Sequence, residues 1–292
     1  QINTGSADIS LKSALSLANG KLSSTAGTLS FEQGAALGNS AILDFSGSKI
    51  KLSGLLDISN GTLTSSNTSN LELQSASSFN SSAQFTVPSL DLNDQKLSLS
   101  SATTHLVISS PFSVGTNESV DTKSGSLTLS GTATLENESA IESSSGTLTF
   151  NGNVSLDDSS ILLTGGSALF SSAAQISGGE LKLHDAALTL NSGITMKDSS
   201  KLSLKNTNFA GSSKVTLTGG TLDLGGTIGS LSSVQTDANT SLELNSDTTI
   251  TRTDAMEADE LKLNAYSLTL GSDSTDLTLN SPLLLNNAGS EL

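Results

Sequence analysis

Apolar residues come along this chain in short steps. Residues 145–166 read SGTLTFNGNVSLDDSSILLTGG and hold three doublets: Leu148 with Phe150, Val154 with Leu156, and Ile161 with Leu163. The first two have the form apolar–polar–apolar, the third has Leu162 between its members, and all are set off by Gly, Ser, Thr, Asn or Asp. The form recurs at Leu127-Thr-Leu129, Leu181-Lys-Leu183, Leu202-Ser-Leu204, Leu242-Glu-Leu244 and Leu261-Lys-Leu263. Alternation at period two sends neighbouring side chains to opposite faces of a strand. The three-and-four spacing of an amphipathic helix is not sustained anywhere in these windows. The residues between doublets are turn formers and poor helix formers.

The doublets repeat in strides of about 20 residues. One series runs near Leu22, Ile42, Leu63, Phe85, Leu106, Leu127 and Leu148, and continues through Ala168, Leu188, Phe209, Ile228, Ile250 and Leu268. A second runs from Leu29 through Ile50, Leu71, Leu90, Phe112, Leu135 and Val154 to Ile176, Ile194, Val215, Val234, Met256 and Leu277. A third runs from Leu37 through Ile58, Phe79, Leu97, Val120, Ile141 and Ile161 to Leu181, Leu202, Leu222, Leu242, Leu261 and Leu283. No single coil can bury its own doublets, but stacked coils make a continuous apolar column. The pattern predicts a right-handed parallel β-helix of about 14 coils, with three short strands per coil of about 20 residues. It predicts one continuous domain over residues 1–292.

Glycine pairs such as Gly165-Gly166, Gly178-Gly179, Gly219-Gly220 and Gly225-Gly226 fall between doublets, where corners need positive φ. No phosphate-cradling glycine motif is present. Two stretches depart from the repeat. Residues 62–84 make a longer coil, with an outward loop expected at 65–70. Residues 253–260, TDAMEADE, are the densest acidic stretch. A solvated corner that inserts Met256 in the core is expected there, with a helical turn over Ala255, Met256 and Ala258 as the other reading.

Composition narrows the functions. Aromatics are 3% of the 292 residues, with no Trp and a single Tyr, Tyr266, as a narrow core filled by stacked Leu, Ile and Val requires. There is no cysteine, so disulfides, thiolate metal sites and a cysteine nucleophile are excluded. The formal net charge is −15, from 28 acids against 13 bases, and Arg252 is the one arginine. A nucleic-acid binder needs the opposite balance, and an anionic membrane surface would repel this one. No apolar run approaches the roughly 20 residues of a membrane helix. The opening QINTGSADIS has neither the basic start nor the apolar block of a signal peptide. The chain starts and stops inside the repeat, so a slice of a longer molecule, or ends that meet other copies, is expected.

Candidate chemistry is sparse. Asp157-Asp158 is the one carboxylate pair in the opening stretch. Its counterparts one coil away are Gly178-Gly179 and Asn137-Glu138, so a turn-lining role is expected and not an acidic cleft. His105 and His184 stand about four coils apart, which excludes a site using both. Arg252 with Asp254 reads as a surface ion pair of small worth. Asp273 and Asp276 could hold only a weak cation, since neither the nonapeptide nor the EF-hand calcium pattern is present. Thr147-x-Thr149 and Thr216-x-Thr218 do not recur coil after coil. Asn67-Thr-Ser, Asn117-Glu-Ser, Asn137-Glu-Ser and Asn239-Thr-Ser are expected by chance in a chain this rich in Asn, Ser and Thr. No catalytic, cofactor-binding or metal-ligating residue is assigned, and no cofactor.

Three elements carry a resemblance. Gly125-Ser-Leu-Thr-Leu-Ser-Gly131, Gly146-Thr-Leu-Thr-Phe-Asn-Gly152 and Gly220-Thr-Leu-Asp-Leu-Gly-Gly226 resemble the GTLTLSG-type element of bacterial autotransporter passenger domains. Phe150-Asn-Gly-Asn153 is similar to the FxxN element of chlamydial polymorphic outer-membrane proteins, without that family's companion GGA[ILV] element. The resemblance implies a secreted, extracellular passenger displayed at a bacterial cell surface, commonly an adhesin. The expectation is therefore a non-enzymatic stalk that adheres to a host or neighbouring-cell receptor, with no nucleic acid and no membrane insertion of this segment. The alternative is a subunit that stacks on copies of itself into an extracellular filament. A polysaccharide-active enzyme comes third.

Overall fold

The computed structural model describes residues 1–229, 231–252, 254–271, 276–281 and 283. The chain is an all-β parallel solenoid of about 13 turns, one fewer than the repeat count suggests. Its residues gather into two compact units, 1–152 and 153–292. Among the described residues every strand pairing within them is parallel and joins positions one turn apart, as a stride near 20 residues dictates.

In the first unit the three apolar series become three faces. Phe85, Leu106, Leu127 and Leu148 stack in register on the first face. Leu29, Ile50, Leu71 and Leu90 stack on the second, and Leu97, Val120 and Ile141 on the third. In the second unit Ala168, Leu188 and Phe209 form the first face. Val154, Ala174, Ile194, Val215 and Val234 form the second. The third is the longest ladder: Ile161, Leu181, Leu202, Leu222, Leu242 and Leu261. These inward side chains are nearly all sealed from solvent, and the polar residue within each doublet faces out. One-sided burial explains why parallel strands here alternate, where strands covered on both faces read as apolar runs.

Corners need a backbone that reverses quickly. Asn137, Asp158, Asp185, Asp198 and Asn206 all take positive φ, as do Gly166, Gly178, Gly219, Gly220 and Gly226. Asn and Asp tolerate this left-handed region because their short side chains bond locally. Other corners are closed by buried hydroxyls. Ser48 Oγ donates to Ser24 O (3.1 Å), Ser69 Oγ to Phe45 O (2.8 Å), and Thr207 Oγ1 to Leu183 O (2.6 Å). Each ties its corner to a backbone carbonyl one turn back. The abundance of Ser and Thr thus has a structural use.

Several expectations shift. No outward loop forms at 65–70. Ser69 is buried, and Ser66 N donates to its Oγ at 2.8 Å. That corner carries one residue more than the turn beneath it, between the pairs Asp44/Thr64 and Lys49/Asn70. The other two surplus residues lie in a bulge between the pairs Leu52/Leu73 and Gly54/Ser77, inside strand Asn70–Asn80. In the acidic stretch Met256–Ala258 is a strand, with Met256 and Ala258 buried, and the helical-turn reading fails. Thr253 lies outside the described residues. The series also slip locally: Leu22 lies over Leu43 and not Ile42, and Ile250 over Leu270 and not Leu268.

Candidate functional site

A connected row of polar side chains sits on the outer surface of the third face of the second unit. Strands Glu180–His184, Lys201–Lys205 and the start of Gly220–Ile228 lie side by side, with Lys182 beside Ser203, Ser203 beside Asp223, and His184 beside Lys205. His184 Nε2 is 3.0 Å from Ser203 Oγ, which donates to Asp223 Oδ2 at 3.1 Å. Lys201 Nζ reaches the same oxygen at 3.0 Å, and Asn245 Nδ2 donates to Asp223 Oδ1 at 2.8 Å. Ser203 and Asp223 are buried although they point outward, covered by their longer neighbours. One turn further, Lys262 bridges Glu243 (2.9 Å) and Glu260 (2.7 Å).

The proton count decides what this row can do. Ser203 has one hydroxyl hydrogen, and Asp223 can only accept. With that hydrogen on Asp223, His184 Nε2 must donate to Ser203 Oγ. An activated serine needs the reverse: its hydrogen on the imidazole, with the carboxylate behind the imidazole. The row therefore has the residue types of a triad in an order that does not activate the hydroxyl. Burial, together with Lys182, holds the His184 imidazole below its usual value; Asp223 opposes this and Lys205 adds to it. Burial pulls Lys201 down, but the hydrogen bond and charge of Asp223 outweigh it and hold the ammonium above its usual value. The Lys201 shift reflects a favourable ion pair, whereas the His184 shift reflects lost water and neighbouring lysines.

The other candidates fall apart as sites. Asp157 is exposed at the end of its strand, and Asp158 at φ 46° folds its Oδ1 over Gly178, where a Cβ would sit 1.9 Å away. His105 lies in the first unit, with Nε2 3.0 Å from Thr128 Oγ1. Asp276 is exposed, and Asp273 lies outside the described residues. Among the described residues no group of three or more His, Cys, Asp or Glu could hold a metal ion.

Arg252 is a correction. It is 2% exposed, among the largest buried side chains, and not a surface partner. Its Nε donates to Asp254 O at 3.1 Å and its Nη2 to Asp254 Oδ1 (3.1 Å) and Ala255 O (3.3 Å). Burial lowers its pKa against the pull of Asp254. Burial would raise Asp254, but Arg252 and the hydrogen bonds around it hold that carboxyl below its usual value.

In the first unit the third face carries a groove of about 530 Å³ beside the Asn70–Asn80 bulge. Leu55, 43% exposed, lies at one end, Ser78 and Ser98 in the middle, and Lys96, Lys123, Asp121 and Glu142 at the other. Neither this groove nor the Ser203 row was visible as a motif. The signal for the row was there in spacing alone, since His184, Ser203 and Asp223 are one turn apart.

No protein-family model, curated protein or solved structure matches the chain.

Proposed function

We propose that this chain is a non-enzymatic, extracellular surface protein of a bacterium, a β-helical passenger or stalk that acts in adhesion. What carries the reading is the outer surface. Within each unit, outward rows of polar side chains repeat at one strand spacing, as Ser155, Gln175, Thr195, Thr216 and Gln235 do on the second face of the second unit. Such a surface suits broad contact with another surface. The hydrogen-bond polarity at Ser203 speaks against the enzyme reading. The resemblance to autotransporter passengers gains support at the level of the coil. Strands Ser126–Leu129 and Thr147–Phe150 of two matching elements pair in register on the first face. The third element lies on the third face, so the likeness follows the repeat and not one fixed site.

The test is direct. Beads coated with the purified chain, applied to cultured epithelial cells and to a bacterial lawn, should be retained well above albumin-coated beads. Retention equal to albumin on both surfaces refutes the adhesion reading. Long fibres of the purified chain under the electron microscope would replace it with the filament reading.

A further inference from the structure

On the first face of the first unit the hydrogen-bonded sheet stops at strand Thr62–Thr64, and another starts at Gln84–Val87. Among the described residues no backbone hydrogen bond joins the two strands. Phe45 N donates to Thr64 O, so Thr64 turns its backbone groups toward the preceding turn. By the alternation of a strand, Leu63 turns its N–H and C=O toward Gln84–Val87. On the far side Ser109 N donates to Val87 O, so Phe85 and Val87 face strand His105–Ile108, while Gln84 and Thr86 face back. A parallel ladder would carry Leu63 N–H to Gln84 O and Thr86 N–H to Leu63 O. Neither bond is made.

The seam shows in the packing. Leu63 is only half-buried, whereas Leu43 and Leu106 on the same face are fully buried. A cavity of about 410 Å³ opens between the strands, lined by Leu63, Phe85, Thr62, Thr64, Gln84 and Thr86 among others, with no charged residue in its wall. Two hydroxyls clasp its ends: Ser65 Oγ donates to Thr86 O at 3.2 Å, and Ser82 Oγ donates to Ser59 O. Beneath it the Phe79 and Phe85 rings meet edge to face, with centroids 5.8 Å apart.

We propose that this seam is a docking site for an extended, uncharged peptide segment, which enters as an added strand between Thr62–Thr64 and Gln84–Val87. The groups on offer are main-chain donors and acceptors at ladder spacing, and an extended peptide presents the complementary set on both its edges. The uncharged wall disfavours charged side chains, which would lose water without gaining a partner. Alternate residues of the segment would meet Leu63 and Phe85 inside and the threonines outside. Entry widens the seam by one strand spacing, about 4.8 Å, and releases the two hydroxyl clasps. The inference rests on the backbone and not on the adhesion reading, and its test uses no cell surface, so either can fail alone.

The experiment is hydrogen exchange on the full chain, read by NMR, with acetyl-Ser-Leu-Thr-Leu-Ser-Gly-amide as the probe. In the free chain the amides of Leu63 and Thr86 should exchange fast. Excess peptide should slow both by about ten-fold or more. Thr86→Pro removes a donor that faces the seam and leaves the bonds of Phe85 and Val87 to the next strand. It should weaken the peptide by about ten-fold while Leu106 and Ile108 stay protected. Ser65→Ala with Ser82→Ala should tighten binding. Slow exchange of Leu63 and Thr86 in the free chain overturns the proposal. So does no protection at millimolar peptide, binding indifferent to Thr86→Pro, or equal binding of the same peptide with Lys in place of Thr.

Discussion

At the scale of single residues, the two outliers are an arginine and a histidine. Arg252 is the one arginine in the chain and lies almost fully buried, its guanidinium bonded to Asp254 and to the backbone. Its charge argued for the surface, and nothing in the local pattern announced that its long stem would fill a core position. His184 gives a measurable consequence. Burial and Lys182 hold its imidazole below the ordinary histidine value of about 6.5. As the pH falls from there, the unfolded chain binds its proton first, so the unfolded state binds more protons and stability declines. That contribution is whole above pH 6.5 and is lost as pH falls through the folded value. The melting temperature should therefore drop between about pH 7 and pH 5, before the carboxylates titrate. Calorimetry of His184→Gln should show this limb flattened; an unchanged limb would mean the imidazole is not what couples folding to pH.

At the scale of strands and corners, close stacking sets the rules. A Cβ on Gly146 would sit 1.7 Å from Gly125 O, one turn below, whereas a Cβ on Gly115 would meet only the Glu118 side chain at 3.6 Å. Neither glycine has positive φ, so space alone separates them. Gly146→Ala should cost on the order of 2–4 kcal/mol, and Gly115→Ala well under 1 kcal/mol. Urea unfolding of the two variants checks this, and equal midpoints would refute it. The apolar doublets revealed the strands, their parallel stacking and their three faces, because burial on one side leaves a period-two trace. They did not reveal where corners gain a residue. Leu43 replaces Ile42 in its ladder, and what looked like a loop at residues 65–70 is one extra corner residue there and two more in the bulge at residues 74–76. Corner length is set by hydroxyl and left-handed geometry, and Ser and Asn are too common here to mark it. The Ser203 row was hidden for the same reason: only the register singles out one serine among many.

At the scale of the whole molecule, the balance of charge dominates. The excess of acids gives a net charge of −15, and pairs such as Lys12–Glu32 and Lys21–Asp44 lie at the surface, where each contributes little. Self-repulsion should outweigh these pairs. Raising salt from about 10 mM to about 300 mM shortens the screening length from roughly 30 Å to under 8 Å. The melting temperature should then rise by a few degrees. A fall would mean that the ion pairs matter more than the repulsion. The bulge at residues 74–76 has a wider consequence. It adds chain at one corner while the strand pairs on either side keep their partners. A fold of this kind can grow sideways without being rebuilt, so foreign sequence grafted at that corner should be displayed on an unaltered scaffold. New surface specificities could then arise by insertion, leaving the apolar column beneath them untouched.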